Sequence, residues 1–195
     1  MIRFQHPHLL SLYCLFISNH IYSNVLEKLD HHYYSVTIKP NQSINHAIKQ
    51  ASPIKINGHT FDASTNWTIR WQYDWEQEHS TGECKIVQVS VYLNTIITMP
   101  KLVGSHSQGQ IRSFKQKNET LYTHEYLHYK KSRQTAYQLN NLLNNAPPAS
   151  NCTRLEQQVN SMGHKMLQEL TNWHQHYDKI TQHGEKQYLW EKQNH

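Results

Sequence analysis

Residues 111–143 read IRSFKQKNETLYTHEYLHYKKSRQTAYQLNNLL, a stretch with no glycine and no proline. Helix-favouring Gln, Lys, Leu and Glu dominate it, and Pro147-Pro148 follow shortly after, so it predicts one long helix. Well inside that helix stands His124-Glu125-Tyr126-Leu127-His128. Helical residues four apart share a face, so the two histidines can close on one zinc ion from successive turns. Glu125 lies beside them, where a carboxylate can take a proton from an attacking water. The run is the minimal kit for metal-assisted hydrolysis. Its bland alternative is a solvated helical face in a chain that carries 16 histidines.

Upstream of this helix the period changes. From Thr65, Trp67, Ile69, Trp71, Tyr73 and Trp75 fall on one face of a strand, with Thr68, Arg70 and Gln72 on the other. Such alternation predicts a half-buried antiparallel strand. A second alternation places Val87, Val89, Val91 and Leu93 on one face and runs from Cys84 to Met99-Pro100. His79–Glu83 between them reads as a hairpin connection with Gly82 at the bend. Further upstream, Tyr33–Ile38 reads as a strand, Ser43 to about Gln50 as a short helix, and Ser52-Pro53 and Asn57-Gly58 as turns. Downstream, Thr153-x-x-Glu156 offers a capping box for a second long helix. Along it Leu155, Val159, Met162, Met166, Leu170, Trp173 and Tyr177 recur at steps of three and four, a core stripe. Strands first and helices later predict an α+β fold: an N-terminal antiparallel sheet, the helix with the motif, and a C-terminal helix.

A catalytic zinc keeps three protein ligands and one open position, so a third donor must come from outside the motif. Glu156 on the following helix is one candidate, with helix capping as its competing role. His164 on the same helix falls on the polar flank of the stripe and reads as solvent-facing. The other source is the cluster Tyr177-Asp178-Lys179-Ile180-Thr181-Gln182-His183-Gly184, where a ligand, an orienting carboxylate and an oxyanion donor lie within a few residues.

In this combination the chain resembles the bacterial group known as domain of unknown function 922, predicted secreted zinc-dependent proteases. The matching features are Tyr34-Ser35-Val36, Thr65-Asn66-Trp67 leading into Trp71-Gln72-Tyr73, and Gly82-Glu83-Cys84 before a strand ending at Pro100. They continue with His124-Glu125-x-x-His128, Cys152, and the closing Tyr177-Asp178-x-x-Thr181-x-His183-Gly184. The resemblance covers about residues 33 to 185 and implies a zincin-like hydrolase. Two positions depart from the family pattern. Leu127 stands where a glycine is usual before the second histidine, adding bulk beside the metal, and Phe114 replaces a favoured tryptophan.

On this reading His124, His128 and His183 hold Zn2+, Glu125 is the general base, and Asp178 orients His183 or a motif histidine. Tyr177 is a candidate donor to the tetrahedral oxyanion, with packing at the end of the stripe as its alternative role. The expected substrate is a peptide or protein, with the cell envelope as one source. The rival reading is a non-catalytic envelope protein, with a structural zinc site or an aromatic strand that binds peptide or glycan.

The N-terminus fits a chain that leaves the cytoplasm. Met1-Ile2-Arg3, the apolar run Leu9–Ile17 and the polar exit Ser18–Ser23 read as a signal peptide, residues 1–23, ahead of a single domain over 24–195. The apolar run is too short for a stable membrane span, so none is expected after cleavage. A secreted or periplasmic location makes the remaining pair, Cys84 and Cys152, a disulfide. The formal net charge of +5 comes from scattered residues without a nucleic-acid motif, so nucleic acid is not an expected partner.

Overall fold

The structure is a computed structural model that describes residues 25–194. The expected signal segment, residues 1–23, lies outside the described residues. In chain order the elements are β1 (Val25–Val36), α1 (Ile44–Ala51), β2 (Lys55–Ile56), β3 (His59–Thr60), β4 (Ser64–Gln77), β5 (Cys84–Leu102), α2 (Gln108–Asn144), α3 (Cys152–Thr181) and α4 (Gln187–Asn194). The α+β architecture is as expected, an N-terminal sheet followed by helices.

β5 is the centre of a sheet ordered β1-β5-β4. Val89, Val91, Leu93, Thr95, Ile97 and Met99 are buried, every second residue, as a strand with one face on a core requires. β4 joins it antiparallel through a turn at Gly82, whose φ of 73° suits glycine, with Glu78 N–H donating to Glu83 O. On β4 the expected face holds as far as Tyr73, with Trp67, Ile69, Trp71 and Tyr73 inward and Thr68, Arg70 and Gln72 exposed, while Trp75, expected on the same face, is 42 % exposed.

The sheet departs from the sequence expectation twice. β1 begins at Val25 and pairs with β5 in parallel, Val25 opposite Val91 through Val36 opposite Leu102, so the sheet is mixed. A parallel partner needs a long crossover, which residues 37–83 supply. Nothing in the alternation of one strand encodes its partner's direction. The second departure is Val87, expected inside and found exposed. The register steps from Asp74 opposite Gln88 to Trp75 opposite Ile86, so Val87 is the extra residue of a bulge and Ile86 takes the inward position.

α2 is one unbroken helix about 55 Å long at 1.5 Å per residue. It starts three residues before the glycine-free stretch because Ser107 and Gln110 form a capping box, each side chain bonding the other's backbone N–H. α3 starts at Cys152 with Asn151 as its cap, Oδ1 accepting from Arg154 N–H at 2.9 Å. The expected Thr153 capping box is therefore not the one used. Glu156 instead accepts from Trp75 Nε1 at 3.3 Å.

Ala136, Leu139 and Leu143 of α2 and Leu155, Val159 and Leu170 of α3 close over Val89, Val91 and Leu93 to form the main core. Met162 points outward at 38 % exposure, and Gly163 takes the inward position. A Cβ at Gly163 would lie 2.8 Å from the Trp71 ring, so the indole occupies the side chain's place. The Cys84–Cys152 disulfide forms, tying the first residue of β5 to the first of α3. A smaller core of Tyr34, Val36, Ile38, Ala47 and Ile48 receives Phe114 from α2, so this aromatic has a structural place. Among the described residues no helix is long and apolar enough to cross a membrane.

Candidate metal centre

The buried stripe of α2 turns polar in the middle of the helix, where His124, Glu125, His128 and Ser132 face inward between Leu121 and Ala136. His124 and His128 are one turn apart, with rings 4.8 Å apart and perpendicular, and their Nε2 atoms are 3.2 Å from each other. From α3, Asp178 brings Oδ1 to 3.1 Å from His124 Nε2 and 2.9 Å from His128 Nε2. Among the described residues, His124, His128 and Asp178 are the trio whose donor atoms converge closely enough to hold a metal ion. Tetrahedral zinc with bonds near 2.0–2.1 Å holds its donors about 3.3 Å apart, close to this triangle.

The protonation pattern around His124 sharpens the fit. Its Nδ1 faces Gln187 Oε1 at 3.3 Å and Thr181 Oγ1 at 3.4 Å. Gln187 Oε1 can only accept, and the Thr181 hydroxyl donates its proton to Tyr177 O at 2.7 Å. Both neighbours therefore call for a proton on Nδ1, so that a neutral His124 presents a bare Nε2 to the carboxylate. Nε2 and the carboxylate oxygen then need a proton or a cation between them, and the charged imidazolium supplies the former.

Burial works against charge on Asp178, yet hydrogen bonds from His124 and His128 and their charge outweigh it, holding this carboxyl below the usual range. Glu125 goes the other way. It is almost fully buried, and desolvation raises its pKa against the pull of His124, His128 and Thr65. Thr65 Oγ1 lies 2.8 Å from Glu125 Oε2 and 2.9 Å from the Glu125 carbonyl, placing β4 against the motif. His174 packs behind His128 with Nδ1 to Nδ1 at 2.6 Å, and burial with the neighbouring His128 pushes its pKa down to about 3.

The closing cluster folds over the donors. Gln182, His183 and Gly184 have φ values of 50°, 53° and 87°, a left-handed run that ends α3. Gly184 passes so close that a Cβ there would sit 3.2 Å from His124 Cβ, which accounts for glycine at this place. The sequence reading gave the third donor to His183 and an orienting role to Asp178. The geometry instead brings Asp178 into the donor group and leaves His183 outside. The His183 side chain is 53 % exposed, with Nδ1 3.6 Å from Asp178 Oδ1 and its ring edge-on to Phe61.

Tyr177 stacks on the His124 ring at 4.7 Å and donates its buried hydroxyl to Gln187 Oε1 at 2.6 Å. Burial raises its pKa, and the residue does not line the cleft. Leu127 is half-buried and does not line the cleft either, so the bulk expected beside the metal is not found there.

A cleft of about 540 Å³ opens over the trio, lined also by Glu125, His183, Phe61, Thr65, Asn66 and Lys179. Sequence reasoning missed His174, Gln187 and the role of Thr65. His174 lies four residues after Leu170 and three before Tyr177, so a polar residue on the apolar stripe was a readable signal. Thr65 shares the parity of Trp67 and Ile69 and was readable from strand alternation. Gln187 left no signal.

No curated protein and no solved structure matches the chain. A family model described as "Bacterial protein of unknown function (DUF922)" matches residues 31–184, from the second half of β1 through the turn over His124. This match covers most of the chain and every residue of the trio, and the chain accordingly belongs to that bacterial family.

Proposed function

We propose that the chain is a secreted or periplasmic zinc-dependent metallopeptidase. The observation that carries this reading is the convergence of His124 Nε2, His128 Nε2 and Asp178 Oδ1 beside a buried glutamate in one cleft. Two imidazoles and one carboxylate would hold the ion with three protein donors, the number of a catalytic rather than a structural zinc. The Cys84–Cys152 disulfide supports work in an oxidising compartment.

When bound, zinc supplies Lewis acidity, acidifying water and polarising a carbonyl. Glu125 accepts the proton of the attacking water and returns it to the leaving amine. The Thr65 hydroxyl orients that carboxylate. Asp178 serves as the third donor. Tyr177 supports the His124 ring, since its hydroxyl is spent on Gln187. His183, exposed at the cleft, is placed to donate to the carbonyl oxygen under attack. β4 is an outer strand whose Ser64–Asn66 stretch lines the cleft, so an extended peptide can lie along it and use its backbone groups.

The test is turnover of a mixed peptide library by the zinc-loaded chain and by Glu125→Gln. The substitution should lower hydrolysis by about 10²–10⁴-fold while zinc stays bound. Equal cleavage by both proteins, or a zinc-loaded wild type that cuts no peptide, contradicts the assignment.

A further inference from the structure

Both motif histidines are backed by buried polar side chains on α3 and α4. His128 Nδ1 meets His174 Nδ1 at 2.6 Å; His174 Nε2 meets Ser132 Oγ at 3.3 Å; and Ser132 Oγ meets the His128 carbonyl at 3.0 Å. One assignment puts a single proton in every contact. His128 Nδ1–H donates to His174 Nδ1, His174 Nε2–H donates to Ser132, and the Ser132 hydroxyl donates to the carbonyl. The reverse direction makes Ser132 donate to His174 and leaves the carbonyl contact without a proton. The favoured direction strips the proton from His128 Nε2, as Gln187 and Thr181 do for His124.

Gln187 is itself locked. Its Nε2 donates to Glu191 Oε1 at 3.2 Å, which turns Oε1 inward to receive the Tyr177 hydroxyl and His124 Nδ1–H. It lies three residues past the end of the family match and is 1 % exposed, so a helix outside the matched span completes the site.

We infer that His174 and Gln187 are positioning residues that hold His128 and His124 as Nδ1–H imidazoles with both Nε2 lone pairs aimed at one cation. This rests on the zinc reading above. Neither residue touches the donor point; each acts through the histidine it accepts from. Such partners fix tautomer and ring orientation and raise ligand basicity.

The experiment measures zinc affinity by chelator competition on the full chain, wild type against His174→Leu and Gln187→Leu. Each leucine variant should bind zinc about 10–100-fold more weakly. His174→Asn, whose Oδ1 can accept where Nδ1 did, should stay within about threefold of wild type. Melting of the zinc-free proteins reports whether the variants fold. If the leucine variants do not, long-range nitrogen–proton spectra of the zinc-loaded wild type decide, with Nδ1–H expected on His124 and His128 and Nε2–H on His174. Leucine variants that fold and match a zinc-binding wild type overturn this inference alone, as does Nε2–H on either motif histidine. A wild type that takes no zinc overturns the metal reading and this inference with it.

Discussion

The contact between α2 and α3 is buried at both ends, but the two ends are built from opposite chemistry. At one end Ala136, Leu139, Leu143, Leu155 and Val159 are all at most 1 % exposed, and the Cys84–Cys152 bond clasps the sheet to α3 beside them. At the other end His124, Glu125, His128, Ser132, His174, Thr181 and Gln187 are buried nearly as deeply. Apolar burial stabilises the first end outright, at about 25 cal/mol per Å² removed from water. The second end gains nothing from burial as such, since each polar group must find a partner to offset its lost water. Its contacts do so, and they lead inward to the point where His124 Nε2, His128 Nε2 and Asp178 Oδ1 meet. The apolar end is held by packing, whereas the polar end converges on the point that the proposed function assigns to zinc.

The comparison can be broken by perturbing the apolar end and reading both. Replacing Cys84 and Cys152 by serine releases a loop with a sequence separation of 68. Chain entropy for that loop gives a stability loss of about 4 kcal/mol, measured by urea unfolding, while zinc affinity in the folded protein should be unchanged. Gly163→Ala should act in the same direction but less. Alanine in a helix gains up to about 1 kcal/mol over glycine, yet its Cβ would press the Trp71 ring, which a 3.0 Å bond from Trp71 Nε1 to Asn160 Oδ1 holds in place. Overpacking of this kind costs about 1–3 kcal/mol, so the melting temperature should fall slightly with zinc binding intact. A fall in zinc affinity in either folded variant would show that the two ends are coupled.

The long helices and the β4–β5 hairpin were legible because each rests on local signals: a 33-residue span free of Gly and Pro, period-two alternation, and Gly82 at a bend. The parallel seating of β1 and the bulge at Val87 were not, since both depend on how strands meet rather than on one strand's pattern. At the site, His124, Glu125 and His128 were readable because one helix fixes their relation. Asp178 and His183 stood correctly together in one cluster, but which of them faces the motif is decided by helical phase. Asp178 is still on α3, one residue after the inward Tyr177, while His183 lies past the left-handed C-cap at Gln182. Gln187 reaches His124 from a different helix, 63 residues away in sequence, a relation with no local trace.

Zinc content of the purified chain under non-denaturing conditions, with His124→Ala, Asp178→Ala and His183→Ala beside it, tests the central claim most directly. The account predicts about one zinc per chain in the wild type and in His183→Ala, and close to none in His124→Ala and Asp178→Ala. A folded wild type that takes up no zinc would contradict it. Retention by Asp178→Ala with loss in His183→Ala would return the third donor to His183.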